Sequence, residues 1–315
     1  MTVPDPSLLE KIAQRQPGIC LYGFAPPKRS TAPEQLALIA SQQVERLAGL
    51  DIDGVIIYDI QDEAQRTADP RPFPFLPTIP PDQYASDHLG ALARPKIIYR
   101  SVASDTRESF EAWLLDARRP PAITVLVGAP SRHAAVGLNL RDAYALVAQH
   151  APELTLGGIA IGERHARGLD EHERILAKAD AGCRFFVTQA VYDVTSTLSL
   201  LSDYALAVGA AGRPALPIVL TFSPCGSLKT LEFMKWLGIH FPRWLENELR
   251  FARDPLETSL ELCERIFLEV WSFARKKGLP LGVNVESVSI RKAEIEASAQ
   301  LIKTLREHMK RSLSA

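Results

Sequence analysis

The chain has 315 residues, 46% hydrophobic and 23% charged, proportions that exclude intrinsic disorder. Its 36 Lys and Arg against 37 Asp and Glu leave a net charge of -1, without the positive field of a general nucleic-acid or anionic-membrane binder. No apolar run reaches the roughly 20 residues that span a bilayer, residues 1–16 do not read as a signal peptide, and the scattered Cys20, Cys183, Cys225 and Cys263 suggest neither disulfides nor a zinc cage, so a reduced, cytoplasmic protein is expected.

Eight short apolar runs rich in β-branched residues recur at 19–24, 54–60, 96–102, 123–128, 156–162, 184–191, 217–222 and 281–288. Between them lie stretches whose apolar residues return every three or four positions, as in Leu36, Ile39, Ala40, Val44 and Leu47. Further helical stripes run through 110–115, 144–147, 175–179, 198–206 and 295–305. Strands apolar on both faces belong to a parallel sheet covered by helices. Eight such units in series predict a (β/α)8 TIM barrel spanning residues 1–315 as one domain. An open dinucleotide-binding sheet would show a G-x-G-x-x-G turn, and none is present.

Two insertions interrupt the alternation. Residues 61–83 are polar and then Pro-rich, which predicts an extended loop over the C-terminal mouth of the barrel. Residues 228–277 are too long for one crossover and read as three helices, 228–237, 242–250 and 255–277. Asp254 before Pro255 is an expected N-cap, and Gly278 closes the last helix. The apolar face of Ile266, Phe267, Val270 and Trp271 reads as helix core or as the cover of a homo-oligomer interface.

In such barrels chemistry sits at the C-terminal strand ends. These supply Tyr22 and Gly23; Asp59, Gln61, Asp62 and Glu63; Arg100; Gly128, Arg132 and His133; and Glu163, Arg164 and His165. The last three strands add Thr188, Gln189, Tyr192 and Asp193, then Thr221, Ser223 and Cys225, then Asn284, Glu286, Ser287 and Ser289. No metal cluster is recognisable, because two histidines on different loops are too few. No Ser–His–Asp order stands out either. Arg100, Arg132 and Lys178 suit phosphate or carboxylate groups, and Glu163, Glu286 and Asp59 suit proton chemistry. The expected partner is a small molecule rather than nucleic acid or membrane.

Several segments together resemble the methylenetetrahydrofolate reductase family of (β/α)8 barrels. Gly23-Phe-Ala-Pro-Pro-Lys28 is similar to the family's E-F-F-P-P-K, and Glu163-Arg-His165 ends a segment like its fifth strand. The most specific likeness is Lys178-Ala-Asp180-Ala-Gly182 followed by Thr188-Gln189 and Tyr192-Asp193. Phe222-Ser-Pro224 and Trp244 after Pro242 are similar to the seventh-strand segment and its sequel. Asp69-Pro-Arg71-Pro72, Thr188-Gln189 and the stretch 280–286 also resemble a flavin-free branch of the family.

The resemblance implies hydride transfer from NADH or NADPH, directly or through FAD, to methylenetetrahydrofolate. Lys178 would meet flavin phosphates, with Glu163, His165 and Gly128 near the cofactor, and Gln189 would hydrogen-bond the pterin beside a rim at Tyr192 and Ser223. Two departures stand out. The family's first-strand Glu, its proton donor, falls on Gly23, and the fourth-strand Asp falls on Ala129. Glu286, a carboxylate in an otherwise apolar eighth strand, is the expected replacement acid, with Asp59 second. The alternatives are a folate barrel that moves a methyl group differently, and a folate- or flavin-binding protein without catalysis.

Overall fold

The computed structural model describes residues 6–62, 69–116, 122–129 and 136–314. The eight expected strands are present as β1 (Cys20–Phe24), β2 (Gly54–Ile57), β3 (Lys96–Ser101), β4 (Ile123–Val127), β5 (Thr155–Ala160), β6 (Phe185–Ala190), β7 (Ile218–Phe222) and β8 (Leu281–Glu286). All pair in parallel, in chain order, and β8 closes on β1. The fold is a (β/α)8 barrel.

Alternation along each strand divides two apolar layers. Leu21, Ile56, Ile97, Tyr99, Val125, Val187 and Val219 fill the barrel interior. Their neighbours Cys20, Val55, Ile57, Ile98, Leu126, Phe186 and Leu220 face the helices. Strands buried on both sides carry few polar residues, which is why the sequence shows near-continuous apolar runs.

A helix not legible in the sequence, α1 (Leu8–Ala13), puts Leu8 and Ile12 into the interior layer at the N-terminal end. Gly54 permits that approach, since a Cβ there would stand 2.8 Å from Leu8 Cδ2. The wall helices follow as α2 (Pro33–Ala48), α3 (Pro81–His88), α4 (Arg107–Leu114), α5 (Leu140–His150), α6 (Gly162–Ala166), α7 (Glu171–Asp180) and α8 (Val194–Ala210). The end of the first insertion departs from the expected loop. Pro80 and Pro81 begin α3, because proline at the first helical position has a preset φ and no N–H to leave unpaired.

The second insertion forms α9 (Leu228–Trp236), α10 (Arg243–Phe251) and α11 (Pro255–Lys276), before the final α12 (Lys292–Ser314). Asp254 caps α11 through the Leu256 and Glu257 amides, and Gly278 takes φ +69° at its far end. The apolar face of α11 is spent inside the monomer, with Ile266, Phe267, Val270 and Trp271 all buried. All four cysteines are buried and unpaired. Among the described residues no helix is long and apolar enough to cross a membrane.

Candidate functional site

The two insertions meet over the C-terminal mouth. The Trp236 indole N–H donates to the Asp69 carbonyl at 3.1 Å, and Phe73 stands edge-on to Phe233 at 5.2 Å. Arg71 lies over Phe75, Phe233 and Trp236, 5.1–5.7 Å from each ring centroid. On the other side, the turn after β1 bridges Lys28 to Thr78, and the Ile79 amide donates to the Pro27 carbonyl at 2.9 Å. These contacts roof a cavity of about 1770 Å³ whose floor is the strand ends.

Charge in this cavity is one-sided. Arg164, Arg174 and Lys178 line it near α6 and α7, while Lys28, Arg46, Arg71, Lys229 and Arg291 line the rest. Against these eight cations stand two carboxylates, Asp59 and Glu286. A cavity with aromatic walls and such an excess of cations suits a flat, anionic ligand.

The floor is built around an absence of side chain. Gly23 pairs in register with Glu286 across β1 and β8. A Cβ on Gly23 would lie 2.7 Å from the Tyr58 ring and 2.8 Å from its hydroxyl oxygen, so Tyr58 occupies the space a side chain at 23 would need. Tyr58 also packs edge-on to Tyr99 with centroids 4.8 Å apart. The Asn284 amide donates to the Tyr58 hydroxyl at 2.9 Å and to Thr221 Oγ1 at 3.2 Å. With its oxygen accepting from Asn284, Tyr58 directs its own proton to the Glu286 carboxylate.

Burial pushes the Glu286 carboxyl up to about 7, and the Tyr58 hydrogen bond offsets only part of that rise. The acid therefore sits near half-protonation at neutral pH. Asp59 is raised by burial as well, but its Oδ2 accepts the Ser101 amide at 2.8 Å and its Oδ1 the Gln61 side chain at 2.7 Å. Those bonds tie β2 to β3 and leave Asp59 the less available proton donor.

Gln189 lines the cavity, and its Nε2 donates to the Leu237 carbonyl at 2.7 Å, leaving its oxygen and second N–H for a ligand. Lys178 and Gly128 also line it. The Lys178 ammonium donates to the Ile159 carbonyl and lies 4.0 Å from Glu171, and burial lowers its pKa. At Gly128 a Cβ would meet Leu140 Cδ1 at 2.9 Å.

Four expected site residues lie elsewhere. Tyr192 is fully buried below the mouth, tilted on Phe241 at 4.3 Å, and its hydroxyl donates to the Ser223 carbonyl at 2.6 Å. Ser223 is buried with it and does not line the cavity. Counting from the end of β6 overshot, because the chain turns inward there to start α8. Glu163, whose carboxyl is raised by burial, accepts the His240 amide at 3.5 Å, and His165 turns to Asp203 on α8 at 3.0 Å. Both sit on α6 facing α8 and the α9–α10 connection rather than the mouth.

Arg100 is committed to Asp105, at 2.9 and 2.6 Å, and to the Trp113 ring. Glu63, Arg132 and His133 lie outside the described residues. The sequence reading missed Tyr58, Arg46, Arg174, Lys229 and Arg291. Tyr58 was findable, since Ile56 points inward and period-two alternation carries position 58 to the same face. Arg46 and Arg174 lie on helices, where strand-end counting does not look.

No family model matches the chain, and no curated protein does. Among solved structures, an intracellular xylanase from Thermoanaerobacterium saccharolyticum is 10% identical with TM-score 0.48, covering 95% of this chain and 99% of that one. A xylanase from Paenibacillus barcinonensis is 10% identical with TM-score 0.47, covering 91% and 88%. Both are too distant to bear on the site. A protein from Clostridium thermocellum that binds two copies of 5-methyl-5,6,7,8-tetrahydrofolic acid is of another order, 44% identical with TM-score 0.86 over 96% of this chain and 99% of that one. Identity at that level along nearly the whole length places the chain in the same protein family as this Clostridium thermocellum protein.

Proposed function

We propose that the mouth binds a tetrahydrofolate derivative and that the chain transfers hydride directly from NADH or NADPH to methylenetetrahydrofolate, giving methyltetrahydrofolate. The observation that carries the catalytic part is Glu286. It is an acid near half-protonation, on the strand beside Gly23, at the level where the resembling reductases place their proton donor. Support for the ligand comes from the relative's 5-methyltetrahydrofolic acid, which is the product of that reaction.

In this reading the Glu286 proton passes to the bridging nitrogen of the substrate, whose bond to the methylene carbon breaks as the iminium forms. The nicotinamide hydride then goes to that carbon, leaving a methyl group and an oxidised nicotinamide. Tyr58, itself held by the Asn284 amide, positions the Glu286 carboxyl, and Gln189 offers an acceptor and a donor to the flat heterocycle. The cavity, at about 1770 Å³, exceeds the roughly 300–1,000 Å³ that encloses one drug-sized ligand, which leaves room for a nicotinamide beside the folate, as hydride transfer in near-attack geometry requires.

A flavin fits the residues poorly. Of its four expected contacts, Glu163 and His165 face away from the cavity and the Lys178 ammonium is engaged by Ile159 and Glu171. No step is therefore routed through flavin.

Gly23 favours a second reading, a folate-binding barrel without catalysis, because the first-strand acid is absent. Two assays separate the readings. Calorimetric titration with 5-methyltetrahydrofolate tests the ligand, and absence of binding overturns both. Oxidation of NADH or NADPH that depends on methylenetetrahydrofolate supports the enzyme, and binding without such turnover leaves the plain binder.

A further inference from the structure

We propose that His165, His172 and Asp203 form a zinc-type divalent-cation site on the outside of the barrel wall. His165 belongs to α6, His172 to the first turn of α7 and Asp203 to α8, so the three come together only in the folded chain. The connection 167–170 makes this possible. Gly168 at φ +69° and Asp170 at φ +44° reverse the chain and bring the start of α7 back against α6. The two imidazole rings then stand edge to face with centroids 5.3 Å apart, and His165 Nε2 lies 3.0 Å from Asp203 Oδ2.

One ligand atom from each of the three residues lies within 4.8 Å of the others. A tetrahedral zinc ion needs such atoms roughly 3.3 Å apart, given Zn–N distances of about 2.0–2.1 Å, so modest side-chain rotation closes the set. A second observation also points to a ligand. His165 is 8% exposed in its side chain, and its Nδ1 and the Nδ1 of His172 are both buried without a hydrogen-bond partner. A hydrogen-bonded His–Asp pair accounts for one nitrogen of His165 and for nothing on His172. A cation held between His165 Nε2 and the Asp203 carboxylate would give the buried His172 ring, next to His165, the partner that the His–Asp pair does not supply.

The donor set selects the metal. Two imidazoles and one carboxylate are borderline ligands that suit zinc, whereas calcium and magnesium demand oxygen donors throughout. Asp203, 48% exposed in its side chain, gives an entry path from solvent and leaves a fourth position for water. The ion would fasten α6, α7 and α8 together behind Arg164 and Lys178, which line the cavity from α6 and α7. The site does not depend on what the mouth binds.

The test uses the full chain stripped with a chelator, then titrated with zinc against a chromogenic competitor and with Co2+ as a spectroscopic probe. One equivalent of zinc per chain is expected, with Co2+ bands typical of four-coordinate nitrogen and oxygen ligation. Saturating zinc should raise Tm by roughly 5 °C. Asp203→Asn changes a half-exposed side chain and should weaken binding by at least about tenfold, and His172→Gln should abolish the Tm shift. His240→Ala, which removes the other described histidine facing an aspartate at 2.9 Å, should change neither readout. Absence of a bound equivalent, or binding that survives both Asp203→Asn and His172→Gln, would overturn the proposal. Loss with His240→Ala alone would overturn it too.

Discussion

Glu286→Gln offers the sharpest test of the floor. The carboxyl moves from an ordinary 4.5 to about 7 on folding. Because the folded pKa is the higher, the native state holds the proton in a window where the unfolded chain has released it, and stability falls as pH rises from about 4.5 to 7. At about 1.36 kcal/mol per unit, that displacement amounts to about 3 kcal/mol, present below the window and absent above it. Glutamine keeps the shape and the Tyr58 contact but cannot ionise. The variant should match wild type near pH 4.5 and exceed it above pH 7, by a Tm difference of roughly 5 °C. Thermal melts of both proteins at several pH values measure the gap, and infrared difference spectra should show a protonated carboxyl band at pH 6 that the variant lacks. Parallel pH profiles for the two proteins would refute the placement of Glu286 in a desolvated pocket. If the proposed reaction is correct, the same variant also loses methylenetetrahydrofolate-dependent turnover while still binding the product.

Other substitutions probe the remaining parts. Gly23→Ala should destabilise by about 1–3 kcal/mol, since its Cβ meets the Tyr58 ring at 2.7 Å, and adding Tyr58→Ala should recover part of the loss in a double-mutant cycle. Gln189→Ala should weaken 5-methyltetrahydrofolate binding about tenfold with little change in Tm, and unchanged affinity would remove Gln189 from the site. Leu8→Ala, in the plug beneath the barrel, should cost about 2–5 kcal/mol in denaturant melts without altering ligand affinity. Arg174→Ala and Arg46→Ala should each flatten the salt dependence of folate binding, and an affinity indifferent to salt would argue against an anion-holding rim.

The order and number of the strands were legible because burial on both faces leaves a strong local mark, and so were the three inserted helices, the last of them with its start and stop written in Asp254, Pro255 and Gly278. The plug helix was not legible. Six residues give too short a stripe to distinguish, and Leu8 and Ile12 become core only when the barrel supplies an interior to enter. Among site residues, Glu286, Gln189, Asp59 and Gly128 could be placed at the mouth by counting along strands that the pattern already defined, and Lys178, on α7, by the family resemblance. Tyr192, Ser223, Glu163 and His165 could not. Each lies just past a strand end, where one turn of backbone decides between cavity and packed wall.

From the chain alone come the barrel, the roofing insertions and an acid out of place in an apolar strand, since each depends on hydrophobic period and residue type within a short window. Only the tertiary structure sets Glu286 against Gly23 and Tyr58, gathers cations from seven separate segments around one cavity, and turns His165 outward to His172 and Asp203. Apart from His165 with His172, those are contacts between residues tens to hundreds of positions apart, and no local propensity encodes which pairs will meet.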